Sequence, residues 1–192
     1  MGEAKKERLP EMIKMRYKDG QELGNSVGLL ISILVRYPEI ASIKFTHKNK
    51  ILHMSFLLSS TVADDFYADF KENFQNSIAA YHMLENKSTI VNELLKTDCE
   101  SITMLELSRD VETLSQGEIS LTIAILREAF QNLLVTDISL DPTWEEDLDL
   151  QDELIECMLE DTKSEREERN LIGIREDGRV LVFNQDRQKP KN

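Results

Sequence analysis

The chain is poor in cysteine, glycine, proline, tryptophan and uninterrupted apolar sequence. Only two cysteines are present, Cys99 and Cys157, which excludes a disulfide scaffold and fits a reduced, intracellular setting. Neither belongs to a C-x-x-C pair. The seven glycines are scattered, and none forms GxGxxG or GxxxxGK[ST], so nucleotide enzymes built on those loops are disfavoured. The most apolar run, Val27–Val35, is nine residues broken by Ser32, whereas a membrane-spanning helix needs about 20. Met1–Lys18 carries charge without the apolar run of a secretory leader. The expectation is a cytoplasmic protein with no membrane segment.

Positive charge is also scarce. Against 23 Lys and Arg stand 36 Asp and Glu, a formal net charge of −13, which argues against a protein whose main work is gripping phosphate backbones. With 192 residues, one core can bury roughly 70% of the unfolded surface, so neither a disulfide nor a metal is needed for stability.

Periodicity sets out the elements. Leu23, Val27, Leu30, Ile31 and Leu34 recur at helical spacing over Gln21–Arg36, with Pro38 as the stop. Leu29, Ile33 and Val35 widen the stripe, so this helix needs cover on most of its surface, and Gly24 and Gly28 allow a close neighbour. Ser42–His47 alternates, Lys48-Asn49-Lys50 is a polar turn, and Ile51–Leu58 continues as a second strand with Leu52, Met54 and Phe56 on one face. Thr61 reads as an N-cap with Asp64 three residues on, opening a helix to about Leu84 whose Phe66, Phe70, Phe74 and Tyr81 make an aromatic core face. Ser88–Lys96 reads as a short helix, Ser101–Leu107 as a strand, and Arg109–Gln116 as a polar loop. Gly117 leads into a helix to about Val135 with two apolar stripes, Ile119, Ile123, Leu126, Phe130 and Leu133 on one side and Leu121, Ile125 and Ala129 on the other. Such a helix is buried between layers or against a second subunit. The expected fold class is α+β, a small antiparallel sheet with helices packed on one face.

Composition shifts near residue 137. Asp137–Arg166 holds twelve acids and two bases, yet Leu148, Leu154, Ile155, Met158 and Leu159 keep helical spacing, so the stretch from Trp144 is an acidic amphipathic helix. Leu171–Ile174 and Arg179–Phe183 flank Glu176-Asp177-Gly178, a small hairpin. A lone hairpin is marginal in water, so it must dock on the body, another subunit or a partner. Gln185–Asn192 reads as a disordered tail. The expected organisation is a basic segment at 1–20, an α+β body at 21–136, and an arm of acidic helix and hairpin at 137–192. Met1–Lys18 holds six bases against three acids and is expected to pair with the acidic stretch of its own chain or of a mate.

Chemistry-bearing constellations are few. His47 and His53 sit near the hairpin turn, where two imidazoles with a remote ligand or with Asp64 or Asp65 would make a metal or ligand site; exposed polar strand residues are the plainer reading. Cys157, among Ile155, Met158 and Leu159, reads as a small buried thiol. Cys99 lies between Asp98 and Glu100, a field hostile to a nucleophilic thiolate. Asp141–Asp149 lacks the central glycine of an EF-hand loop. What remains is recognition, because the sole tryptophan stands at the edge of the acidic run. Trp144, Leu148, Ile155 and Met158 would supply apolar contact, and Glu145, Glu146, Asp147 and Asp149 would steer a basic protein partner.

The sequence thus predicts a non-enzymatic interaction or regulatory module, a homodimer acting through its acidic arm, with no catalytic residues, metal or cofactor. A small enzyme or ligand-binding domain near the 42–58 hairpin is the first alternative, and a nucleic-acid mimic the second. On this reading, deleting residues 137–192 abolishes partner capture and leaves the body folded.

Overall fold

The computed structural model describes residues 24–88, 90–137, 148–166, 169–176 and 178–185. The alternation at 42–58 becomes a hairpin of β1 (Ile40–Thr46) and β2 (Ile51–Leu58), antiparallel, with Phe45 opposite Leu52 and Lys44 opposite His53. Period two puts Ile43, Phe45, Leu52, Met54, Phe56 and Leu58 on one side, all buried. A second hairpin, β3 (Asn92–Cys99) and β4 (Ile102–Asp110), joins it through β4 against β2. A third, β5 (Leu171–Glu176) and β6 (Arg179–Asn184), joins through β5 against β1. The result is one six-stranded antiparallel sheet in the order β3-β4-β2-β1-β5-β6. With its helices this is an α+β fold.

Four helices pack on the side to which the buried strand residues point: α1 (Asn25–Arg36), α2 (Asp64–Leu84), α3 (Gln116–Phe130) and α4 (Leu148–Ser164). α1 lies on β1, β5 and β6, and α4 lies across α1 and α3 as an outer layer. That sandwich explains the wide apolar stripe of α1. Leu29, Leu30, Ile33 and Leu34 are all fully buried, as are Ile155 and Leu159 of α4. The cover that α1 needs therefore comes from its own chain.

The expected boundary at residue 137 is one of composition and not of structure, because β5 is an inner strand and α4 closes the core over α1. The acidic helix is fastened by its charges as well. Asp152 accepts from Arg36 Nε at 2.8 Å and Nη2 at 3.2 Å. Glu156 accepts the Gln116 N–H at 2.7 Å, and Glu165 the Ser26 N–H at 3.0 Å. Both amides lie in the first turn of a helix, where donors lack an intrahelical partner and the dipole favours an anion.

Local departures from the sequence reading have physical causes. Ser88–Lys96 contains good helix formers, yet Asn92–Cys99 pairs along the whole length of β4; a ladder and the burial of Leu94 override weak helix propensity. α2 opens at Asp64 with Ala63 as N-cap, not Thr61. Val62 is held in place by the Thr103 hydroxyl on its N–H and by Lys96 Nζ on its carbonyl, so helix begins only beyond it. α3 stops at Phe130 because Gln131 takes a positive φ of 44°. Phe70 and Phe74 are buried, whereas Phe66 is half exposed and rests edge-on against Phe130.

Two glycines set the spacing of the layers. A Cβ on Gly28 would meet Met158 Cε at 3.0 Å, the flexible tip of a side chain on α4. A Cβ on Gly173 would meet Leu34 Cδ1 at 2.8 Å, with Leu30 Cβ and Val182 Cγ2 each at 3.6 Å. Leu34 has no room to retreat, since it is fully buried. Gly173→Ala is expected to destabilise by about 1–3 kcal/mol through overpacking, read as a lower urea midpoint with unchanged slope. Gly28→Ala is expected to cost less, because Met158 can change rotamer. Equal costs would show that the α1–β5 approach is not the tighter one.

Candidate functional site

Strand alternation leaves a second face of the sheet on which no described helix lies. Register places two rows of side chains across it. One runs Glu93, Ser108, His53, Lys44, Ile172, Phe183; the next runs Leu95, Glu106, Ser55, Ser42, Ile174, Leu181. Polar groups therefore occupy the centre, Leu95 and Glu93 stand on the β3 flank, and the β5–β6 flank is apolar. Leu95 is 45% exposed on one flank and Phe183 50% exposed on the other. Partly exposed Ile172, Ile174 and Leu181 lie beside Phe183, and a contiguous apolar patch of this kind marks an interaction surface.

The centre brings together a serine, a histidine and a glutamate from adjacent strands. Ser108 Oγ lies 2.8 Å from His53 Nδ1, and Glu106 Oε1 lies 3.8 Å from the same nitrogen. Proton relay through histidine needs the nucleophile on one ring nitrogen and the carboxylate on the other. Here both lie toward Nδ1, so the trio lacks the relay arrangement: Ser108 is hydrogen-bonded to His53, and Glu106 is a charged neighbour beyond hydrogen-bond distance. Of the other groups offered for a site near this hairpin, His47 packs edge-on to Phe45 with its main-chain N–H on Asn170 Oδ1. Asp64 pairs with Lys96 at 2.6 Å on the helical side. Among the described residues, no group of three or more His, Cys, Asp and Glu is placed to hold a metal.

A second cluster, which sequence reasoning missed, is buried between α2, β4 and α3. Arg109 is 0% exposed. Its Nε pairs with Glu118 Oε1, its Nη2 donates to Glu118 Oε2 at 2.8 Å, and its Nη1 donates to Asp110 Oδ1 at 2.7 Å and to the Val91 carbonyl. His82 Nε2 lies 2.7 Å from Glu118 Oε2. Asp110 also accepts the Val91 N–H at 2.7 Å and the Thr113 N–H and hydroxyl at 2.9 and 2.6 Å. Burial pushes the Asp110 carboxyl up, but the Thr113 and Val91 hydrogen bonds and the Arg109 charge outweigh it and hold it below its ordinary value. A signal was present in Ser115-Gln116-Gly117-Glu118, the S-x-x-E spacing of a capping box. Ser115 does cap α3 by accepting the Glu118 N–H, but the glutamate side chain turns away to Arg109. With its donors and acceptors matched inside the core, this cluster ties elements together.

The residues expected to meet a partner divide into three groups. Trp144, Glu145, Glu146 and Asp147 lie outside the described residues. Leu148 and Asp149 are exposed at the start of α4. Ile155 and Met158 face α1 in this chain's own core, so they offer no free contact surface; helical spacing marked them correctly as apolar-face positions but not what they face. Outward acids of α4 include Glu153, Glu160 and Asp161. Cys157 is exposed rather than buried, as is Cys99, and desolvation together with the Asp161 charge pushes the Cys157 thiol up. The basic segment 1–20 also lies outside the described residues.

No protein-family model matches this chain, and comparison with curated proteins and with solved structures finds no match for it. Among the described residues, no helix is long and apolar enough to cross a membrane.

Proposed function

We propose that this protein is a non-enzymatic interaction module, a homodimer that holds a partner polypeptide on the sheet face that no described helix covers. The observation that carries the reading is that face itself: six strands wide, polar at His53, Ser108 and Glu106, and apolar toward Leu95 on one side and Phe183 on the other. A fitting partner presents apolar side chains with basic residues beside them, because a chain of charge −13 attracts cations and repels acids over its whole approach. Leu148, Asp149 and the outward acids of α4, with Trp144, Glu145, Glu146 and Asp147 before them, steer such a partner. Apolar contact on the sheet sets how long it stays.

Leu95→Arg tests this in the full chain. The side chain is half exposed, so the substitution is expected to leave the melting temperature nearly unchanged. It is expected to weaken partner capture about tenfold or more, the ordinary cost of losing a well-placed contact. Charge reversal at Asp149 and Glu153 is expected instead to slow association and flatten its salt dependence, with dissociation unchanged. Partners retained equally well by Leu95→Arg would sink the sheet-face reading.

A further inference from the structure

We infer that two copies of this chain associate edge to edge through β6, which extends the sheet across a two-fold axis at Val182. The inference rests on the homodimeric part of the reading above and names its interface. The two edges of the sheet are built differently. Edge strand β3 is guarded, with charged Glu93, Lys96 and Asp98 along it and the Tyr67 hydroxyl bonded to the Leu94 carbonyl at 2.9 Å. Edge strand β6, Arg-Val-Leu-Val-Phe-Asn, carries no acid and a continuous apolar middle.

The hydrogen-bond phase of β6 follows from its neighbour. Gln185 N–H donates to the Asn170 carbonyl at 2.8 Å, so 170 and 185 form a hydrogen-bonded pair. Alternation along the ladder then turns the main-chain groups of Phe183, Leu181 and Arg179 toward β5, and those of Val182 and Val180 outward. Among the described residues no strand lies on that side of β6.

The strand complements its own copy when run antiparallel about Val182. Val182 meets Val182 of the second copy as a hydrogen-bonded pair. Leu181 meets Phe183 on the open face, and Phe183 meets Leu181. Arg179 falls opposite Gln185, so no like charges oppose. Apolar cross-strand pairs of this kind stabilise a ladder, and the half-exposed Phe183 gains cover. Charge selects the same place. Two chains of −13 repel over most of their surfaces, and β6 is a strip where neither copy presents a carboxylate. Closure about a two-fold axis gives a dimer and not a filament, and it joins into one the two faces on which no described helix lies.

The register is open to a direct experiment. Cys99 and Cys157 are both exposed, so both are first replaced by serine. In that background, Leu181→Cys and Phe183→Cys proteins are mixed and oxidised. A non-hydrogen-bonded cross-strand pair has Cα atoms about 4.5 Å apart, within disulfide reach. The expected product is a mixed disulfide between the two variants, with little cross-linking of either variant alone. Val182→Pro removes an outward N–H without touching the β5–β6 ladder, and it is expected to halve the mass seen by light scattering while keeping a cooperative melt. A parent protein that stays monomeric over a wide dilution series overturns both the edge and the homodimer. A dimer that survives Val182→Pro, or Leu181→Cys that cross-links efficiently with itself, overturns the β6 register and leaves dimerisation standing. Should Val182→Pro fail to fold, the cross-linking pattern alone decides.

Discussion

A chain cut at residue 136 is expected not to fold. The cut removes β5, an inner strand, together with its edge partner β6 and the helix that covers α1. Ile155, Leu159 and Leu171 are essentially inaccessible, and Met158 is nearly so. Burying each such side chain stabilises by roughly 1.5–3 kcal/mol, so the four together contribute about 6–12 kcal/mol. That is comparable with the whole net stability of a typical domain, about 5–15 kcal/mol. Electrostatic losses add to it, because Arg36 and the first-turn amides of α1 and α3 lose Asp152, Glu165 and Glu156. The expected result is an aggregating product, or one with helical signal, dye-binding apolar surface and no cooperative melt. A soluble 1–136 fragment with a sharp transition would show that the acidic helix and last hairpin are appendages, as composition alone suggests.

How far the sequence reveals this arrangement depends on which force shapes each part. Alternation is enforced by burial, so the hairpins 42–58 and 171–184 were legible, as was the place of a glycine before β6, where Gly178 takes a φ of 70°. Helices with one strong stripe were legible for the same reason. The excess apolar width of α1 correctly announced a cover, but pattern does not say whether that cover comes from the same chain, and α4 supplies it. Three features stayed hidden because nonlocal contacts decide them. Asn92–Cys99 is a strand only because β4 offers a partner. Arg109 looks like a loop residue until Glu118 arrives from the next helix to neutralise it. The acids of 137–166 read as the polar face of an amphipathic helix, whereas Asp152 turns inward to the Arg36 side chain and Glu156 and Glu165 to helix N-termini. The candidate face was half legible: the His53 position was evident, but Glu106 and Ser108 join it only through the β2–β4 register.

Arg109→Met is expected to destabilise the protein by about 3–5 kcal/mol, the usual cost of leaving a buried charge without its partner. Methionine matches much of the volume, so the loss is electrostatic rather than a cavity effect. Glu118 and Asp110 would both remain in the core, with His82 Nε2 2.7 Å from Glu118 Oε2. Glu118→Gln is expected to cost less on its own, since the amide keeps an acceptor and bears no charge. The double variant is expected to fall short of the sum by at least about 1 kcal/mol, because much of the cost of losing Arg109 is the stranded glutamate. Urea titrations of the four proteins give the cycle, and strict additivity would show that the two side chains do not act as a pair. Acid adds an independent readout. In the parent protein the Asp110 carboxyl is held below its ordinary value. Its contribution is therefore complete above the unfolded carboxylate range and is lost as pH falls through the depressed folded value. Removing the Arg109 charge takes away one of the causes of that depression, so the acid limb of stability is expected to move to higher pH in Arg109→Met. An unmoved acid limb would mean that the Thr113 and Val91 hydrogen bonds hold the carboxylate on their own.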